Sequence, residues 1–147
     1  MEKSRNCLSL CITFCLYTIS DYNERWSRQW NKNFLSYENA EDREWMPESG
    51  GIIYIYHMSV FFKNFYKNPH APWKYILGFE PTMMPSEDIE VYKNICITKG
   101  SFESFEPWIK KMTPKDRMLV IQPENVNPAI PGLEWHYVTD IWIGKKK

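Results

Sequence analysis

Residues 8–16 alternate strictly in size. Leu8, Leu10, Ile12, Phe14 and Leu16 take one parity, and Cys7, Ser9, Cys11, Thr13, Cys15 and Tyr17 take the other. A period of two, with large aliphatic side chains on one side and small ones on the other, predicts a β-strand. Its large face has to be buried under another layer, so the chain needs both sheet partners and a helical cover.

An aromatic stripe supplies that cover. Ser20 or Asp21 caps a helix in which Tyr22, Trp26, Trp30 and Phe34 recur every four residues. Glu24, Arg28 and Lys32 fall on its opposite face. Residues 38–51 are acidic and end in Ser49-Gly50-Gly51, which reads as a loop. Residues 52–62, rich in Ile, Tyr, Val and Phe, read as a strand. The prolines and asparagines within 63–72 predict a turn, and 73–80 alternates again, completing a hairpin. Residues 81–86 form the linker.

The same order then recurs. Residues 89–98 read as a strand and 102–112 as a helix with Phe105, Trp108, Ile109 and Met112 inward and Pro107 in its first turn. Residues 118–122 and 133–143 read as strands on either side of a proline-rich loop. Cys11-Ile12-Thr13 of the first strand is echoed by Cys96-Ile97-Thr98. The expected fold is a single α+β domain over 1–147. Two βαββ halves, roughly 7–80 and 87–144, form a mostly antiparallel sheet, with helices on one face and a cleft between the halves.

Charge narrows the function classes. Lys+Arg and Asp+Glu are equal at 18 each. A nucleic-acid binder is therefore not expected, because such proteins carry a strong basic excess. Lys145-Lys146-Lys147 is too small a patch for a membrane surface, and residues 7–19 are too short for a membrane span. That run also lacks an Ala-x-Ala site, so a strand is preferred to a signal peptide. Cys7, Cys11, Cys15 and Cys96 match no zinc spacing. They read as reduced, small, buried residues of a cytoplasmic protein, with no metal and no cofactor.

Neither a Gly-x-Ser-x-Gly elbow nor a pyrophosphate-binding glycine loop occurs. Gly50-Gly51-Ile52-Ile53-Tyr54 is similar to the opening of a GIY-YIG nuclease motif whose second half is missing. His136 and Glu134 share a strand face, a pair that suits acid–base work or a solvated edge. No catalytic set is complete, so binding is expected rather than catalysis.

Aromatic residues make up 16% of the chain, enough to line a ligand site. The small faces of the two first strands leave room for a cleft, with Tyr17 and Tyr92 near its ends. A small molecule would bind there by stacking on Tyr17, Tyr54, Tyr92 or Trp142, with Glu80 or Glu134 supplying any charge complement. The alternative is a protein-interaction module, inhibitor- or antitoxin-like, using an aromatic patch and the acidic loop 38–48.

Three stretches carry a family resemblance: Trp73-Lys74-Tyr75-Ile76-Leu77-Gly78-Phe79-Glu80, Asn94-Ile95-Cys96-Ile97-Thr98-Lys99-Gly100-Ser101-Phe102-Glu103, and Pro123-Glu124-Asn125 with Thr139-Asp140-Ile141-Trp142-Ile143. In this order they resemble the GyrI-like family of bacterial effector-binding domains. The resemblance implies a cleft between two halves that holds aromatic, often cationic, molecules, and some members hydrolyse toxic compounds. The family's glutamate in the seventh strand has no counterpart in Met118-Leu119-Val120-Ile121.

Overall fold

Ile52, Ile53, Tyr54 and Ile55 form the first strand, β1, which starts directly after Gly51. A Cβ at residue 51 would collide with the Lys115 carbonyl, so only glycine lets the chain enter the sheet there. The computed structural model describes residues 34–36, 42–138 and 140–147. The chain divides into two units, Met1–Lys32 and Asn33–Lys147, and all the described residues lie in the second. The strand expected at 8–16, the aromatic-striped helix after it, Tyr17 and three of the cysteines fall outside the described residues.

The described residues form an α+β fold. After β1 come α1 (Met58–Lys67), β2 (Lys74–Tyr75), α2 (Ser86–Ile97), α3 (Glu106–Lys111), β3 (Arg117–Val120), β4 (Leu133–Val138) and β5 (Ile141–Lys146). The strands make one sheet in the order β2-β1-β3-β5-β4. β1 runs parallel to both β2 and β3, whereas β5 is antiparallel to β3 and β4. The antiparallel β4–β5 ladder is the longest, with six residue pairs, so most of the sheet is antiparallel.

Strand alternation sorts the two faces. Tyr54, Met118, Gly144 and Trp135 are in register across four strands and share one face. Trp108 of α3 covers that face, its ring 5.8 Å from that of Tyr54. Ile53 and Tyr75 point the other way, where Phe61 of α1 meets Tyr75 edge-on at 5.3 Å. Further along this second face, Trp45 stacks on His136 at 5.0 Å. Helices therefore cover both faces, not one as the sequence predicts. The cause is topological. The β1–α1–β2 and β2–α2–α3–β3 connections run in opposite directions across the sheet, and right-handed crossovers then place their helices on opposite sides.

The second half is not strand-helix-strand-strand. Residues 89–98, expected as a strand, belong to helix α2, and two helices precede β3. Val91, Ile95 and Lys93, Ile97 are four apart as well as of equal parity, so both periods fit them. The decisive signal is Pro85 followed by Ser86-Glu87-Asp88, a helix start with acids in the first turn. Residues 52–62 likewise split into β1 and the first turn of α1, and α1 runs through what reads as a turn. The last predicted strand is a hairpin, turning tightly through Asp140 at φ 65°.

Polar side chains hold these layers together. Asp88, 2% exposed, accepts from Trp108 Nε1 (3.1 Å) and pairs with Lys111 (2.8 Å), locking α2 to α3. Asp116 accepts from the backbone N–H groups of Ile52 and Thr113, both at 2.6 Å, so it ties the entry of β1 to the turn before β3. Arg117 is buried, and its guanidinium donates to the carbonyls of Trp45, Pro114 and Asp116. Among the described residues no helix is long and apolar enough to cross a membrane.

Candidate functional site

α1 carries a dense aromatic face. Phe61 and Phe65 point to the β2 edge of the sheet, where Tyr75 and Phe79 come up to meet them. Phe61 stands edge-on to Phe79 at 5.6 Å, and Phe65 is edge-on to Phe79 at 4.9 Å. These T-shaped contacts put ring edges on ring faces, the favoured quadrupolar geometry. They also leave a gap. A pocket of about 410 Å³ opens between α1 and β2, lined by Phe61, Phe65, Trp73, Tyr75, Leu77 and Phe79, with Asn68 and Lys74 as its polar members.

Local sequence explains why the pocket stays open. Asn68 ends α1, and Pro69 and Pro72 hold the return to β2 off the helix axis. Asn64 and Asn68 anchor a second segment on the far side. Leu35 N–H donates to Asn64 Oδ1 (2.9 Å), and Asn68 Nδ2 donates to the Leu35 carbonyl (2.9 Å). Leu35 is fully buried by this clamp. Phe79, by contrast, is half exposed, so it is a wall facing solvent and not a core residue.

The residues expected to form a site are spread across the fold. Tyr17 lies outside the described residues. Tyr54 is buried under Trp108, and burial, then the charge of Asp116, push its hydroxyl up to about 12. Trp142 shares that sheet face, two strands away, with its indole N–H donated to the Pro123 carbonyl at 3.1 Å. Tyr92 is half-buried on α2, its hydroxyl pKa raised by burial and by its bond with Cys96. Glu134 sits exposed on β4, 3.7 Å from Lys145. Glu80 follows Phe79 at the other end of the sheet order, beyond β2. Among the described residues, none of these lines the aromatic pocket, and Glu80 alone is next in sequence to a lining residue, Phe79. Cys96, expected buried, is exposed on α2.

Sequence reading passes over Phe61, Phe65 and Phe79 as site residues. The i, i+4 spacing of Phe61 and Phe65 is the available signal, hidden when this run is assigned to a strand and a turn. The chemistry elsewhere is sparse. Ser59 Oγ lies 2.9 Å from His57 Nδ1, but both are exposed and no carboxylate hydrogen-bonds the imidazole among the described residues. Burial, then Lys63, lower the pKa of His57. No group of three His, Cys, Asp or Glu is arranged to hold a metal among the described residues.

No protein-family model matches the chain, and comparison with curated proteins and with solved structures finds no match.

Proposed function

We propose that this protein is a small-molecule binding module that takes an aromatic ligand in the pocket between α1 and β2. The observation that carries the proposal is the ring-lined gap of about 410 Å³, walled by Phe61, Phe65, Tyr75 and Phe79 in edge-to-face array. A flat ligand ring entering there adds stacked and edge-on partners and leaves water on both sides. Lys74 and Asn68 at the lining supply polar contacts that fix its orientation. Glu80, exposed beside Phe79, favours a cationic substituent. The ligand class is the one the GyrI-like resemblance implies, carried by this edge pocket in place of a cleft between halves.

The test is a thermal-shift series with naphthalene derivatives bearing an ammonium, a neutral or a carboxylate group. A ligand at one hundred times its dissociation constant adds about 2.7 kcal/mol to stability. Phe79→Ala should abolish the shift while the melting temperature of the free protein barely moves, because Phe79 is half exposed. Glu80→Gln should erase the preference for the ammonium compound. Shifts unchanged in Phe79→Ala, or no shift from any ring compound, overturn the reading.

A further inference from the structure

The sheet ends in two very different edges, and β4 is the long one. It has six residues, Leu133–Val138, with no proline and no lysine. Native edges are usually blunted by proline, by charged side chains, by a bulge, by brevity or by a covering loop, and Glu134 is the one carboxylate on this strand. The register of β4 on β5 is regular throughout, so no bulge interrupts it.

The hydrogen-bonding pattern shows which groups face outward. The Lys147 N–H donates to the Gly132 carbonyl at 3.2 Å, in line with the β4–β5 register. Antiparallel pairs alternate between bonded and non-bonded, so residues 134 and 136 turn their backbone groups inward to β5. Leu133, Trp135 and Tyr137 turn theirs outward. Among the described residues no hydrogen bond reaches those outward groups. Among the described residues they form a free pairing edge.

We propose that β4 pairs with β4 of a second copy of this chain, antiparallel about a two-fold axis through Trp135. The side chains select both partner and register. Centred on Trp135, each Glu134 lies opposite the second copy's His136, and each His136 opposite its Glu134. These are non-hydrogen-bonded pairs, where side chains come closest. An imidazole donates to a carboxylate in either protonation state. On the other face Leu133 lies opposite Tyr137 and Trp135 opposite Trp135, both favourable apolar cross-strand pairs. A shift of one position in the centre toward His136 sets histidine against histidine and Glu134 against Val138. A shift toward Glu134 sets glutamate against glutamate, which is repulsive. Three outward residues per strand then make six backbone hydrogen bonds across the axis, and the joined sheet has ten strands. The side chains needed are already in place. Glu134 is exposed, 3.7 Å from Lys145 on the neighbouring strand, and His136 is held flat against Trp45 at 5.0 Å.

Sedimentation velocity over a concentration series tests this, with two single variants that each fail alone. Glu134→Lys sets lysine opposite histidine, and His136→Glu sets glutamate opposite glutamate. Each should weaken self-association about tenfold, while circular dichroism and melting show the fold retained. Mixed together, the two variants set the introduced lysine of one chain opposite the introduced glutamate of the other. The native His136 of the first then faces the native Glu134 of the second, so a heterodimer should form at wild-type strength. Amide exchange at Leu133, Trp135 and Tyr137 should slow as the wild-type dimer forms. A wild-type chain that stays monomeric at every concentration overturns the proposal. So does a dimer indifferent to both variants, or one whose β4 amides exchange as fast as in the monomer.

Discussion

The two edges of the sheet solve the same problem in opposite ways. β2 is two residues long and offers almost no backbone to a stranger, and the aromatic face of α1 packs beside it. β4 is six residues long and offers three outward-facing residues. At β2 the exposed chemistry is ring faces and a pocket. At β4 it is hydrogen-bonding backbone flanked by one acid and one imidazole. Brevity at one edge frees the side chains to form a ligand site, and length at the other makes the backbone itself the adhesive surface. One edge suits a small molecule, the other a strand.

The largest expected effect breaks the first edge. Phe61 is buried at the centre of the ring cluster, in contact with Phe65, Tyr75 and Phe79. Phe61→Ala should cost about 3–5 kcal/mol, read by denaturant unfolding, and should abolish ligand shifts through loss of the pocket wall. Next in size is a break at the second edge. A Cβ on Gly144 would come within 2.8 Å of the Trp135 ring, so Gly144→Val has to push that ring off the sheet. The loss should be about 1–3 kcal/mol, and the displaced β4 should no longer self-associate. A stability loss with self-association intact would separate the edge from Trp135.

Phe79→Ala sharpens the comparison instead of breaking it. Because Phe79 is half exposed, its removal should cost no more than about 1 kcal/mol, yet ligand binding should disappear and self-association should persist. Two variants with opposite readouts would show that the edges work independently. The smallest effect is a pH tilt at the start of α1. Partial burial of the ring, then Lys63, hold the His57 pKa below its ordinary 6.5. The unfolded chain therefore binds this proton more readily than the folded one, and the contribution, present above pH 6.5, is lost as pH falls through the lowered folded value. His57 is exposed, so solvent screens the effect. His57→Asn should flatten the melting temperature between pH 7 and 5 slightly.

Parts of this architecture were legible residue by residue. Of the four residues that read as inward, Phe105, Trp108 and Met112 are each buried to 2% exposure or less, and Ile109 is half-buried. Ser49-Gly50-Gly51 marked the entry to β1, and Pro107 marked the first turn of α3. The strand reading of 89–98 rests on side chains spaced by four, a spacing that fits a period of two and a period of 3.6 alike. Pro85 and the acids after it carried the better information, since helix starts depend on local capping and charge. The pocket was missed with the helix that builds it, because Phe61 and Phe65 line one side only when 58–67 is helical.

By itself, then, the sequence determined the local features: where strands and helices can start and stop, which residues are greasy enough to be inside, and the absence of any complete catalytic or phosphate-binding motif. These depend on neighbours within a turn or two of chain. The tertiary structure alone decided the strand order, the covering of both faces and the unlike lengths of the two edges. Pairing β1 with β3 across more than sixty residues is a long-range choice, fixed by which faces bury best together and by the hand of the crossovers. Whether Glu134 and Glu80 share a site was settled by that order, which sets Glu134 on one edge strand and Glu80 beyond the other.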